Sequence, residues 1–410
     1  MTFLFIYLFI FSLIISLLGE NNQINQEFDA HERNKYKAEY NINEIDEKNY
    51  NKFKKYFDKY YQAQKEQEEC QLNNDLPCDC FIDNIESDLR RWNHSGITEH
   101  LIDRGKKTRG IHYQIINHKL YRQKDCLFPS RCEGNEHFIN KIINDLPDIE
   151  LIINVHDYPQ VLSVLDSIPV FSFSRDNNYQ DILYPAWTFW CGGPAIDLYP
   201  TGIGRWDLMR DFIVLHSQKW EAKESIGFFR GSRTSADRDP LIHLSLNKPH
   251  LVEAQYTKNQ AWRSKADTLG FDPAPTVSFE EQCKYKYLLN LRGVAASFRY
   301  KHLFLCKSVV LNVNSDWTEF FYNKLRPWIH YVPVLEDFKD AEEIISFLQE
   351  NDQIANKIAL NGFNFIWKHL TLEAVECYWK NLLLKYSQLF RYKVKHDKTL
   401  ILIEDKYLNK

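Results

Sequence analysis

The apolar string Glu150-Leu-Ile-Ile-Asn-Val155 has a strand pattern and runs directly into His156-Asp157-Tyr158-Pro159. In α/β folds, ligands meet the carboxyl ends of strands. A carboxylate presented there, Asp157, can take a proton from a substrate hydroxyl within hydrogen-bond reach. An Asp capping a turn before Pro159 explains the same residues, and spacing alone leaves both readings open. A second candidate is Phe228-Phe-Arg-Gly-Ser-Arg-Thr-Ser-Ala-Asp-Arg-Asp-Pro240. Here a strand leads into a loop with Arg230, Arg233 and Arg238, then a helix with Asp239 as cap and Pro240 in the first turn. Arginines, hydroxyls and N–H groups beside a helix N-terminus suit a diphosphate; the alternative is a solvated basic loop. Asp237-Arg238-Asp239 also has the form of a metal–nucleotide site, but the interposed Arg would repel a cation. A third candidate is Arg292-Gly-Val-Ala-Ala-Ser-Phe-Arg299, between a strand and a helix. Its small residues let backbone approach a ligand closely, and Ser297 and Arg299 can bind phosphate. A tight strand–helix corner accounts for it equally. Finally, Tyr184-Pro-Ala-Trp-Thr-Phe-Trp-Cys-Gly-Gly-Pro194 and Tyr199-Pro-Thr-Gly-Ile-Gly-Arg-Trp-Asp207 combine aromatic walls with Gly turns. They suit a sugar or peptide cleft, or a packed aromatic core.

The elements that must position these loops are short apolar strands alternating with helical patterns. Strands are predicted at 150–155, 225–229, 287–291 and 308–313, with a helix at 297–305. That alternation implies an α/β architecture with parallel sheets. Helices are predicted at 340–350, 351–366 and 372–390. Earlier in the chain, Phe53, Tyr56, Phe57, Tyr60 and Tyr61 recur at helical steps. A polar stretch at 217–225 marks a seam between two sets of strands.

Composition narrows the function. The chain has 410 residues, 44% hydrophobic and 26% charged, which is ordinary for a globular protein. Lys plus Arg is 51 and Asp plus Glu is 55, a net charge of −4, which argues against an electrostatic nucleic-acid binder. Gly202-x-Gly204 lacks the third Gly of a dinucleotide fingerprint. No His-Glu-x-x-His, Gly-x-Ser-x-Gly, Walker loop or kinase set is present, and the 14 His show no metal-ligand spacing. Phe3 to Leu18 is uncharged and apolar apart from two serines, the length of a secretory leader rather than of a membrane span. No other run approaches that length, so no stable membrane span is expected. In an oxidising lumen, nine Cys read first as disulfides, although Cys78-Asp-Cys80 could ligand zinc elsewhere. Asn93-His94-Ser95 is the one glycosylation acceptor triplet, and the last four residues are no KDEL-type signal.

Taken together, several strings resemble the family-90 glycosyltransferases: Asp125-Cys-Leu-Phe-Pro-Ser-Arg-Cys132, Asn154-Val-His-Asp-Tyr-Pro-Gln160, Tyr184-Pro-Ala-Trp-Thr-Phe-Trp190, Phe229-Arg-Gly-Ser-Arg-Thr-Ser235, Tyr256-Thr-Lys-Asn-Gln-Ala-Trp262 and Cys283 to Cys306. The resemblance covers about Cys70 to 390. It implies a GT-B fold, two Rossmann-like domains facing a cleft, with C-terminal helices packing back on the first. The implied organisation is a leader at 1–19, a polar, partly helical segment at 20–69, an acceptor-side domain at 70–215, a UDP-sugar-binding domain at 216–365, and C-terminal helices and tail at 366–410. The implied activity is inverting transfer of glucose from UDP-glucose to Ser in Cys-x-Ser-x-(Pro/Ala)-Cys of folded EGF-like repeats, as in Notch-type receptors, in the endoplasmic reticulum. UDP-xylose is an alternative donor, and a non-catalytic EGF-domain binder or folding factor is an alternative role. By resemblance, Asp157 is the base. Tyr199, Ser232, Arg238, Val294, Ala295, Ala296, Ser297, Phe298 and Arg299 contact the donor. Leu127, Phe128, Pro129, Ser130, Arg131, Ala195, Ile196, Asp197, Leu198 and Pro200 contact the acceptor. No metal or other cofactor is implied. His156 stands where the family often has Arg, and Leu127 where it often has Met. The implied disulfides are Cys70–Cys80, Cys78–Cys377, Cys126–Cys132 and Cys283–Cys306, which leaves Cys191 as the odd thiol.

Overall fold

The computed structural model describes residues 47–66, 70, 76–192, 198, 203–259 and 262–404. Two compact units divide the chain, 1–65 and 66–410. In the first, a helix spans Glu47–Lys65, with Tyr50, Phe53, Tyr56, Phe57, Tyr60 and Tyr61 buried. Helical spacing puts these rings on one face, and Tyr50 stacks on Phe57 at 5.5 Å.

The second unit holds two sheets. The first contains β1 (Ile111–Ile116), β2 (Lys119–Arg122), β3 (Ile149–Ile153), β4 (Phe171–Ser172), β5 (Ile182–Leu183) and a late strand, Ile401–Ile403, in the order late strand-β2-β1-β3-β4-β5. The second contains β6 (Glu224–Ser232), β7 (Val252–Thr257), β8 (Tyr285–Asn290), β9 (Val309–Val313) and β10 (Val332–Val334), in the order β10-β9-β8-β6-β7. The late strand is β11. Every pairing in the second sheet is parallel. The first sheet is mixed, which departs from the parallel expectation. β3, β4 and β5 pair in parallel, but β1 runs antiparallel to both β2 and β3. The reason is local: Asn117 and His118 both take positive φ, the geometry of a two-residue hairpin turn.

β3 is buried along its whole length, as befits a strand covered on both faces. Its one charged residue, Glu150, survives burial because His112 Nε2 (2.8 Å), Gln114 Nε2 (2.9 Å), Tyr392 Oη (2.6 Å) and Lys106 Nζ (3.2 Å) converge on it. Burial alone would raise its pKa, yet these partners hold the carboxyl down to about 2. Tyr392 belongs to the tail that delivers β11 to the open edge of β2, a strand whose signal was too short to read.

Three helices precede the tail and β11, Ala341–Glu350, Asp352–His369 and Leu372–Ser387, close to their predicted positions. Thr371 caps the last through the Ala374 N–H at 3.1 Å. That helix packs on the helices Ile82–Leu89 and Pro129–Ile142, and Cys78–Cys377 ties it there across a sequence separation of 299. The other disulfides are Cys70–Cys80, Cys126–Cys132 and Cys283–Cys306, and Cys191 alone is free. No described helix is long and apolar enough to cross a membrane.

Candidate functional site

Asp157 lies just beyond the carboxyl end of β3, on a loop held by Asn154. The Asn154 side-chain amide donates to the Tyr158 carbonyl (2.8 Å) and to Ser172 Oγ (2.9 Å), and its oxygen accepts the His156 N–H (3.0 Å). Asp181, fully buried, accepts the N–H groups of Gln160 and Val161 at 2.8 Å each and the Ser172 hydroxyl at 2.7 Å. Burial pushes the Asp181 carboxyl up against the pull of those bonds. The loop is therefore rigid, while the Asp157 side chain keeps 38% of its surface open to solvent.

Arg131 orients that carboxylate. It sits in the first turn of the helix Pro129–Ile142, behind Pro129 and the Cys126–Cys132 link. Its Nη1 donates to the Val155 carbonyl at 2.6 Å and lies 3.1 Å from Asp157 Oδ1. The guanidinium is sandwiched by ring faces, 4.3 Å from Phe128 and 4.5 Å from Trp187. Gly134 is required here, because a Cβ would come within 2.6 Å of the Trp187 carbonyl. His156 presents its edge to Phe128 at 5.5 Å. Burial, then Arg109 and Arg131, lower its pKa, so the imidazole is neutral at pH 7. Of the sequence-assigned acceptor residues, Leu127, Pro129 and Ser130 are exposed beside this pair. Leu198 is also exposed, at 44%, while Ala195, Ile196, Asp197 and Pro200 lie outside the described residues.

The second sheet presents a different kind of site. Its loops after β6 and β8 meet at Arg238, which is 4% exposed. Arg238 donates to the carbonyls of Ser232 (2.7 Å), Arg292 (2.9 Å) and Leu291 (3.3 Å). Arg299 donates to the Arg230 carbonyl at 2.7 Å. Both guanidinia lie over the Phe229 ring, at 5.5 and 4.8 Å. Burial, with Arg299 beside it, brings the Arg238 pKa down to about 9, and burial brings Arg299 down to about 10. Two cations sit side by side, bonded to carbonyls. A Cβ on Gly231 would collide with the Arg299 guanidinium, so that glycine makes room for it. Ser232 ends β6, Val294 is exposed, and Ala295, Ala296 and Ser297 are buried beside them. Tyr199, the remaining donor assignment, lies outside the described residues.

The three-arginine expectation for the loop after β6 needs correction. Arg230 bonds Glu253 at 2.6 Å and also Gln255. Arg233 forms a two-pronged pair with Asp239 at 2.7 and 2.6 Å. Both charges are already spent on neighbouring side chains, so only Arg238 remains of the three. Asp239 is also no cap: it is the first residue of the helix Asp239–Asn247, and Tyr256 Oη donates to it at 2.8 Å. Asp237 pairs with Arg292 at 2.5 Å, so each carboxylate of the Asp-x-Asp faces an arginine. Among the described residues, Cys70, Cys80 and His369 are dense enough to hold a metal ion, but their two sulfurs form a disulfide.

Aromatic contacts join the two halves. Phe298, from the loop after β8, stacks on Phe173 at 4.9 Å and meets Trp187 at 5.4 Å. Trp187 is the ring that carries Arg131. Asp157, Arg131, Trp187 and Phe298 thus form a continuous path from the carboxylate to the arginine pair. Sequence reading had Arg131 only as an acceptor contact and missed its ion pair with Asp157. Only its place in the family-resembling string 125–132 marked it, because the partners are 26 positions apart.

Residues 73–409 match the family described as Glycosyl transferase family 90. The chain belongs to this family. It is 54% identical over 332 residues to "O-glucosyltransferase rumi homolog" of Anopheles gambiae, covering 80% of this chain and 83% of that one. It is 51% identical over 352 residues to "Protein O-glucosyltransferase 1" of Rattus norvegicus, covering 85% and 89%. For "O-glucosyltransferase rumi" of Drosophila melanogaster the figures are 50% over 339 residues, 81% and 82%. A family-90 glycosyltransferase needs a place for an activated sugar and a place for its acceptor. The two sheets, with their joined loops, have a two-part α/β form consistent with a glycosyltransferase of this family.

Proposed function

We propose that this chain is an inverting protein O-glucosyltransferase that uses UDP-glucose. The relatives' names support glucose as the sugar and protein as the acceptor. The observation that carries the donor side is the arginine pair, Arg238 buried and Arg299 half-buried, bonded to carbonyls. Holding two like charges side by side, one of them buried, is costly, and a diphosphate placed against them would offset that cost. The pair would then stabilise charge on the departing UDP without a metal. Asp157 is the general base. It takes the proton of an acceptor serine, the serine oxygen attacks the anomeric carbon from the face opposite UDP, and configuration inverts. Arg131, 3.1 Å away, keeps the carboxylate aimed. Its exposure allows a macromolecular acceptor to reach it.

The acceptor is a serine in Cys-x-Ser-x-(Pro/Ala)-Cys of a folded EGF-like repeat, as in Notch-type receptors. It would meet the exposed Leu127 and its neighbours and the segment around Leu198. Four disulfides fit an oxidising lumen, that of the endoplasmic reticulum. Asn93 is exposed in a turn after Trp92, as a glycan site in such a lumen must be. One assay tests the reading: purified protein, a folded EGF-like domain, and UDP-glucose or UDP-xylose, with and without chelator. Transfer of glucose to serine with inversion, unaffected by chelator, is expected. Chelator sensitivity would refute the metal-free mechanism, and equal transfer to reduced, alkylated acceptor would refute recognition of the folded repeat.

A further inference from the structure

Beneath the loop after β8 lies a buried set of ionisable side chains that the transfer chemistry above does not use. Lys301 is 1% exposed and Glu319 is 2% exposed. Lys301 Nζ lies 3.3 Å from the Phe298 carbonyl and 3.4 Å from Thr188 Oγ1. Its ammonium also rests over the Phe189 ring at 4.6 Å. Tyr322 Oη lies 3.3 Å from the Ser297 carbonyl and 3.2 Å from Glu319 Oε1. Two successive carbonyls, immediately before Arg299, are thus held from below, Ser297 by Tyr322 and Phe298 by Lys301 together with His302 Nδ1 at 3.1 Å. Thr188 adjoins Trp187, the ring that carries Arg131.

We propose that Tyr322 and Lys301 are positioning residues for the transfer reaction. They fix the direction in which Arg299 leaves its loop, and Lys301 carries that hold across to the turn that supports Arg131 and Asp157. This role rests on the sugar-nucleotide reading of Arg238 and Arg299.

The hydroxyl of Tyr322 has one proton and two acceptors in reach. It can donate to the Ser297 carbonyl while keeping its bond to residue 319 only if residue 319 donates in return. A protonated Glu319 does this, and burial favours that form, pushing the Glu319 carboxyl up against the pull of Lys301. Oε2 of Glu319 is buried with no hydrogen-bond partner, as a neutral carboxyl tolerates better than a carboxylate. Glu319→Gln preserves the donating group and is the control for the arrangement.

The test uses the full chain with Tyr322→Phe, Lys301→Met and Glu319→Gln. UDP affinity is read by calorimetry, kcat and KM by donor and acceptor titrations, and folding by thermal melting. Tyr322→Phe is expected to raise the UDP Kd and the donor KM by about 3- to 10-fold, leaving the acceptor KM unchanged. Lys301→Met is expected to raise both and also to lower kcat, because the link to Thr188 goes with it. Glu319→Gln is expected to shift the UDP Kd by about twofold or less. Tyr322→Phe with wild-type UDP Kd and donor KM would overturn the role, whether or not its melting point falls. So would equal weakening by Tyr322→Phe and Glu319→Gln. A wild-type chain that binds no UDP and transfers no sugar would overturn the donor reading itself, and this role with it. Wild-type binding with indifferent variants would overturn the positioning role alone.

Discussion

The loop after β3 and the loops after β6 and β8 treat charge in opposite ways. On the first sheet, Asp157 is ion-paired with Arg131 at 3.1 Å and stays 38% open to water. On the second, Arg238 is buried and Arg299 half-buried, and both are bonded to carbonyls. A base must accept a proton and pass it on, so it needs access and a carboxylate that remains charged. Groups that stabilise a leaving anion act most strongly in a dry, preorganised setting. Under the proposed mechanism, the two halves differ because the two ends of the reaction differ.

Asp157→Asn is the sharpest way to break this comparison. It keeps the shape and removes the base, so transfer should fall by about 10²- to 10⁴-fold while UDP Kd by calorimetry stays unchanged. Loss of UDP binding in that variant would place Asp157 on the donor side instead. Arg299→Met attacks the dry half. Transfer should fall by about 10²- to 10³-fold, UDP Kd should rise, and acceptor KM should hold. An effect confined to acceptor KM would contradict the division of labour.

The frame around the two halves can be loosened separately. Cys78→Ala with Cys377→Ala frees the last helices from the start of the unit. Stability should fall by about 2–5 kcal/mol, seen as a lower melting point, with UDP Kd at low temperature retained. The smallest expected effect concerns acid. The Glu150 pKa is lowered from 4.5 to about 2, so its contribution is fully present above pH 4.5 and is lost as pH falls towards 2. It is worth about 3 kcal/mol at most. Glu150→Gln should lower the melting point at pH 7 and flatten its fall between pH 4.5 and 2; an unchanged acid slope would show that Glu150 is not the sensor.

Legibility followed the range of the interaction. In the second sheet β6, β8 and β9 were readable as apolar runs, such as Ser308 to Val313, whereas β7, interrupted by Glu253 and Gln255, and the three-residue β10 were not. The hairpin of β1 and β2 and the edge strand β11 were not, because short strands depend on a partner's backbone. Asp157 and the loop at 294–299 stood out as polar or small residues at strand ends. The arginines of the loop after β6 could not be sorted by inspection. Glu253 and Asp239, which remove Arg230 and Arg233 from the candidate set, become neighbours only in the fold.

By itself, the sequence determined the family, the α/β alternation, the candidate carboxylate and the two phosphate-suited loops. Each is written in local order, where residue type and spacing act directly. Tertiary structure alone decided which charges are spent and which remain: Arg131 on Asp157, Arg233 on Asp239, Arg238 and Arg299 left to backbone carbonyls. Electrostatics depends on distance and burial, and neither is a property of sequence separation.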